Sequence, residues 1–128
     1  MIAHVSIGVS NIDNSKRFYD AALEPLGYKC LRAARSLLGY GYGRNSIALW
    51  VVHAERPVPA DEKSGLRFCF TAANHAAVNA FHAAAIAAGG SDNGAPGLRP
   101  IYGPDYYAAF IIDPDGYRIE AYYGPAET

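Results

Sequence analysis

The sequence predicts an α+β fold made of two pseudo-symmetric βαβββ modules, and three observations carry that expectation. The order of elements repeats: a strand, a capped helix and further strand-like runs fill residues of about 1–55 and begin again near residue 66. A shift of 63 residues, which carries position 4 to position 67, lays Asn11 on Asn74, Phe18 on Phe81, Ala22 on Ala85 and Gly27 on Gly90. Those matches fall at a helix cap, a helix core and a helix end, where two copies of one supersecondary unit agree for physical reasons. The chain then closes on a hairpin pattern centred on Asp113-Pro114-Asp115-Gly116.

In chain order, Ile2–Val9 reads as a strand with Ala3, Val5, Ile7 and Val9 toward the core and His4, Ser6 and Gly8 on the opposite face. Asn11 and Asp13 are candidate N-caps for a helix in which Ile12, Phe18, Tyr19, Ala22 and Leu23 recur near helical spacing, and Pro25 and Gly27 stop it. Tyr28–Leu31, Leu37–Tyr42 and Ile47–Val52 follow as shorter strands, punctuated by glycines. Arg56–Gly65, with Pro57, Pro59 and a charged run, reads as a linker. Leu66–Ala72 is again a strand, Asn74 caps a helix with Val78, Phe81, Ala85 and Ile86 on its apolar side, and Gly89-Gly90 ends it. Gly94–Tyr102 is loop-rich and holds a short strand. One domain spans residues 1–128, with module 1 at about 1–55, the linker at about 56–65 and module 2 at about 66–128.

In the closing hairpin, Pro114 presets φ for the second position of a type I turn, and Gly116 can take the positive φ that follows. On the second strand Arg118, Glu120 and Tyr122 share one face, while Ile119, Ala121 and Tyr123 share the other. Glu120 is thus a carboxylate on a strand otherwise built to be covered. A carboxylate in that position must be paired, metal-bound or protonated, because an isolated buried charge is very costly.

The composition is that of a globular chain, 51% hydrophobic and 18% charged, and a formal net charge of -1 offers no basic field for nucleic acid or anionic lipid. The start Met1-Ile2-Ala3-His4-Val5 lacks a charged n-region followed by a long apolar run, and no segment approaches the roughly 20 apolar residues of a spanning helix. A cytoplasmic protein with neither nucleic-acid nor membrane partners is expected. Cys30 and Cys69 form no close-spaced metal motif and are expected to be reduced thiols.

His4 near the start of the first strand, the helical run Ser15-Lys16-Arg17-Phe18-Tyr19, the second helix Phe81-His82-Ala83-Ala84-Ala85 ending at Gly89-Gly90, and Asp113-Pro114-Asp115-Gly116 with its trailing Ile119-Glu120 together resemble the vicinal oxygen chelate superfamily. That superfamily includes glyoxalase I, fosfomycin and bleomycin resistance proteins, and extradiol dioxygenases. The Asn93-Gly94-Ala95-Pro96-Gly97-Leu98-Arg99-Pro100 run is similar to a bacterial subgroup known only as glyoxalase-like. The resemblance covers essentially the whole chain. It implies a cupped mixed sheet, in which metal-using members point one ligand each from the first and fourth strands of both modules into the cup. His4 and Glu120 match two of those positions; Arg67 stands at the third, and the corresponding part of module 1, Ala48-Leu49-Trp50, offers no ligand. The cofactor is therefore left open: a zinc, nickel, manganese or iron ion is compatible with His4 and Glu120 as ligands, but the set is incomplete, and arginine does not bind metals.

Strand alternation puts Arg67 with Cys69 and Thr71, opposite Phe68 and Phe70, so that Arg67 faces the cup if the phenylalanines pack on the helices. There it can pair bidentately with Glu120 or present its fork to a carboxylate or phosphate on a ligand. Trp50 and Tyr122 are the expected cup-lining aromatics, with Tyr102 and Tyr40 behind them; Tyr106 and Tyr107 cannot both face the cup. His53, His75 and His82 read as surface or packing residues. Three functions follow from the resemblance. One is a glyoxalase-like protein that binds a small polar or anionic ligand through Arg67, His4 and Glu120. Another is a divalent-metal lyase or isomerase resembling glyoxalase I, with His4 and Glu120 catalytic. The third is a drug-sequestering protein of the bleomycin-resistance kind. A homodimer is expected in each case.

Overall fold

The computed structural model describes residues 1–58 and 64–124. Much of the predicted linker and the last residues of module 2 therefore lie outside the described residues. Module 1 consists of β1 (Val5–Val9), α1 (Ile12–Leu23), β2 (Lys29–Ala34), β3 (Leu37–Tyr42) and β4 (Ser46–His53). Module 2 consists of β5 (Arg67–Thr71), α2 (His75–Ala87), β6 (Ser91–Leu98), β7 (Tyr107–Ile112) and β8 (Arg118–Tyr123). The strand orders β1-β4-β3-β2 and β5-β8-β7-β6 are the same, each with one parallel pair followed by antiparallel neighbours. These are the two βαβββ modules the repeat predicts.

The repeat is physical at each matched position. Asn11 accepts from the Asn14 amide at 3.0 Å and Asn74 from the Ala77 amide at 2.8 Å, so each caps its helix. Phe18 and Phe81, and Ala22 and Ala85, are fully buried in one core that draws on both modules. The helix ends differ. Gly27 takes a left-handed φ of 88°, whereas in module 2 that conformation falls to Gly89, at 106°, one residue before Gly90. Gly90 is kept small by packing, since a Cβ there would sit 2.6 Å from Cε1 of Phe18.

Two predicted boundaries shift. The first strand begins at Val5 rather than Ile2, and Ile2, Ala3 and His4 are exposed ahead of it. The strand expected within Gly94–Tyr102 begins earlier and is longer: β6 runs from Ser91 to Leu98, with its register on β7 broken between Asp92 and Gly94 and between Gly94 and Gly97. Those irregularities absorb the glycines and Pro96, which would otherwise argue against a strand.

The modules are fastened through the hairpin turn. Gly116 adopts a φ of 95°, as the turn requires. Ser10 donates to Asp115 Oδ1 from both its amide (3.0 Å) and its hydroxyl (2.7 Å), and Tyr117 donates to the Gly8 carbonyl at 2.7 Å. Tyr19, on α1, donates to Asp113 Oδ2 at 2.5 Å, while Asp113 Oδ1 accepts the amides of Asp115 and Tyr117. No helix among the described residues is long and apolar enough to cross a membrane.

Candidate functional site

Each sheet buries one face against the helices and leaves the other uncovered by them. In module 2 the alternation falls as predicted. Ile119 and Ala121 join the core, whereas Arg67, Cys69 and Glu120 line a cleft of about 630 Å³ with Arg118, Tyr106 and Asn93. Register explains the convergence: Cys69 and Phe110 flank Glu120 on the neighbouring strands, and Arg67 is level with Arg118.

Glu120 is 2% exposed and has a partner for each oxygen. Arg67 Nε lies 3.1 Å from Oε1, and the Tyr106 hydroxyl donates to Oε2 at 2.5 Å. Arg67 and Glu120 do pair, but through Nε alone rather than bidentately as expected, because the second Glu120 oxygen is taken by Tyr106. Arg67 is 44% exposed along its side chain, and its guanidinium carbon lies 5.1 Å from the Phe110 ring centroid, with that of Arg99 at 5.3 Å. Burial and the neighbouring Glu120 carboxylate push the Cys69 thiol up to about 12, so it is protonated at neutral pH and no nucleophile. Burial, together with the hydrogen bond to Glu120, raises the Tyr106 hydroxyl well above its ordinary value, which keeps it a donor.

The aromatics divide. Tyr106 takes the cup side and Tyr107 the helix side, where its hydroxyl donates to Asn79 and its ring stacks on His75. Tyr122 stacks on Tyr106 at 4.7 Å with the rings 15° apart, and Tyr102 tilts against the same ring at 5.3 Å, so both predicted tyrosines back the residue that holds Glu120. Tyr40 is not a cup residue: it is fully buried and donates to Asp20 of α1 at 2.8 Å. His82 pairs with Asp92 at 2.9 Å.

His4 and Trp50 are brought together, but not with Glu120. They line a separate depression on module 1 with Arg32, Arg44 and Asn45. Among the described residues no three His, Cys, Asp or Glu side chains converge on a point that could hold a metal ion. Both Glu120 oxygens are already engaged and a fixed cation stands beside them. Among the described residues, the donors around Glu120 do not fit a divalent cation.

Phe110 and Asn93 were not expected at the site, Arg118 was placed only on the strand face of Glu120, and Tyr106 only as an alternative to Tyr107. The hairpin held the signal for two of them. Once Phe110 is set opposite Glu120, period two carries the same face from Phe110 through Ala108 to Tyr106. Asn93 lies on the irregular strand β6, whose register the sequence does not determine.

The comparisons with known proteins agree with this architecture. A crystal structure of a glyoxalase/bleomycin resistance protein from Albidiferax ferrireducens T118 superposes with a TM-score of 0.81 at 31% identity, covering 98% of this chain and 99% of that one. A glyoxalase-related enzyme from Fulvimarina pelagi shares the fold at a TM-score of 0.76 and 17% identity, over 98% of this chain and 88% of that one. The uncharacterized protein YqjT of Bacillus subtilis (strain 168) is 28% identical over 125 residues, which is 91% of this chain and 94% of YqjT. The family model for the Glyoxalase/Bleomycin resistance protein/Dioxygenase superfamily matches residues 1–121, and with the duplicated βαβββ modules this makes the chain a member of that superfamily.

Proposed function

We propose that this protein binds a small polar or anionic molecule in the module 2 cleft, with Arg67 as the principal contact and Glu120 as the group that holds Arg67 in place. The observation that carries the reading is the one-pronged ion pair. Arg67 meets Glu120 through Nε, and among the described residues its two terminal nitrogens have no carboxylate partner. Those two nitrogens are the edge of the guanidinium that engages a carboxylate or phosphate bidentately. A purely structural pair would be expected to spend that edge on Glu120.

Arg67 also reaches the opening of the cleft, its side chain 44% exposed while Glu120 beneath it is 2% exposed. Tyr106 supplies a rigid wall backed by Tyr102 and Tyr122. His4 and Trp50 stand outside this cleft in the single chain. A homodimer in the cytoplasm completes the proposal.

The test is thermal unfolding in the presence of succinate or inorganic phosphate. A ligand at a hundredfold its dissociation constant adds about 2.7 kcal/mol to stability. The melting temperature should rise with at least one of these anions in the parent protein and should not rise in Arg67→Ala. An equal rise in both proteins would remove Arg67 from the site. A rise with divalent cations instead, lost in His4→Ala, would replace this reading with a metal-dependent one.

A further inference from the structure

On the helix side of the sheets the two modules differ at one matched position, and the difference leaves a groove. In module 2, Tyr107 turns its ring toward α2 and stacks on His75, with centroids 3.9 Å apart and planes 11° apart, while its hydroxyl donates to Asn79 at 2.6 Å. Tyr123 meets the same imidazole edge-on at 5.6 Å. These aromatics fill the space between the N-terminal half of α2 and the nearby ends of β7 and β8.

Module 1 lacks that filling. The 63-residue shift carries Ile12 to His75 and Lys16 to Asn79. Register extends the match to the strands: Val5 pairs with Leu49 as its counterpart Phe68 pairs with Ile119, which sets His53 level with Tyr123. The His53 amide donates to the Ser36 carbonyl at 3.0 Å, and Tyr107 pairs with Tyr123, so Ser36 holds the place of Tyr107. A serine hydroxymethyl therefore stands where module 2 has a phenol. By strand alternation Ser36 and His53 share faces with the buried Leu38 and Val51, so they point to the helix side. Ser36, Ile12, Lys16, His53 and Leu38 all line one groove of about 540 Å³, within the roughly 300–1,000 Å³ of small-molecule sites.

The internal copy also specifies an occupant. A ring laid over Ile12 as Tyr107 lies over His75 would bring a phenolic hydroxyl to Lys16, where module 2 offers Asn79. Lys16 already holds Asp20 at 2.6 Å, and an ammonium has three donors, so others remain for a second acceptor. At its other end the ligand would replace the main chain of Tyr107. That end falls beside Arg35, the exposed residue before Ser36 in the turn between β2 and β3. Arg35 also lines the groove, and among the described residues it has no carboxylate partner. Asp13 is the one carboxylate among the lining residues, against the two cations Lys16 and Arg35. We propose that this groove binds a monocyclic phenolic acid, its ring packed on Ile12 and Leu38, its hydroxyl at Lys16 and its carboxylate at Arg35.

The probe is para-hydroxyphenylacetate, the tyrosine side chain with a carboxylate in place of its Cα, titrated into the protein while backbone amide shifts are followed by NMR. The shifts should saturate and centre on Ile12, Lys16, Ser36 and His53. The neutral para-hydroxyphenylacetamide should bind roughly tenfold more weakly, and so should the acid to Arg35→Ala, as expected for the loss of one charge-assisted hydrogen bond. Ser36→Tyr, which restores the module 2 side chain, should abolish the response, whereas Ser36→Ala should keep it. Arg35 and Ser36 are exposed, so these variants should fold. Shifts that rise linearly without saturating, that centre on Arg67, Cys69 and Glu120 instead, or that persist unchanged in Ser36→Tyr would overturn the proposal. Equal binding of the acid and its amide, or an unaltered affinity in Arg35→Ala, would overturn it as well.

Discussion

Replacing Asp113 with asparagine should change how stability depends on pH, because this carboxyl is buried where the modules meet. Asp113 is 4% exposed, and burial pushes it up to about 6 despite three hydrogen bonds that favour the charged form. In the unfolded chain it should titrate near 3.9. Between about pH 4 and pH 6 the folded protein therefore holds a proton that the unfolded chain has released. Stability from this group is fully present below pH 4 and is lost as pH rises through 6. Two units correspond to about 3 kcal/mol. Asparagine keeps the shape and the accepting oxygen but does not titrate. Urea unfolding at pH 4, 5, 6 and 7.5 should give a stability difference, parent minus Asp113→Asn, that falls by up to about 3 kcal/mol across the series and is flat above pH 7. Taking the difference cancels the other titrating groups. A difference that does not vary with pH would refute the shift. One that grows with pH would mean that the hydrogen bonds from Tyr19, Asp115 and Tyr117 outweigh the desolvation of the carboxylate.

Three further outcomes follow from the same contacts. Asn11→Ala and Asn74→Ala should each cost about 1 kcal/mol by urea unfolding, and the double variant about the sum, because the two caps serve different helices and share no partner; a strongly non-additive result would mean that the caps are coupled through the core. Tyr106→Phe strips one of the two partners from a buried carboxylate and should lower stability by about 1–3 kcal/mol, measured the same way. In a Cys30→Ser background, Cys69 should react with iodoacetamide at pH 8 roughly a hundredfold more slowly than a free thiol, since so little of it is thiolate; reaction at the rate of free cysteine would show that the thiol is not perturbed.

Most of the fold was legible because its signals are local. Asparagine caps, buried phenylalanines at matched helix positions and the Asp113–Gly116 turn each dictate structure within a few residues, and the 63-residue repeat presents the caps and the phenylalanines twice. Arg67 and Glu120 were legible as partners because strand alternation and an unpaired carboxylate leave few choices. What was hidden depends on contacts distant in sequence. Tyr40 shares its face with Leu38 and pairs with Leu49, both in the core, a register set by β4, and its hydroxyl is claimed by Asp20 on α1. The engagement of Glu120 by Tyr106 requires the β7 and β8 register, and β6 follows a broken register that composition cannot supply.

The two uncovered faces show how one duplicated scaffold comes to hold different chemistry. In the pseudo-symmetric alignment, the row Arg32, Gly39, Trp50, Ser6 corresponds to Gly94, Phe110, Glu120, Cys69. In each row one large aromatic lies against one glycine. Trp50 on β4 rests on Gly39 of β3, and Phe110 on β7 lies against Gly94 of β6, where a Cβ would come within 2.9 Å of Cδ2 of Phe110. The aromatic and its glycine are displaced by one strand between the modules. That displacement leaves the β8 position open for Glu120, and leaves the β2 position open for Arg32. An aromatic cannot be added at Gly39 while Trp50 occupies the space above it, so a module can carry the carboxylate at its centre or the indole there, but not both. The cationic depression of module 1 and the arginine-carboxylate cleft of module 2 are the two solutions of that one packing constraint.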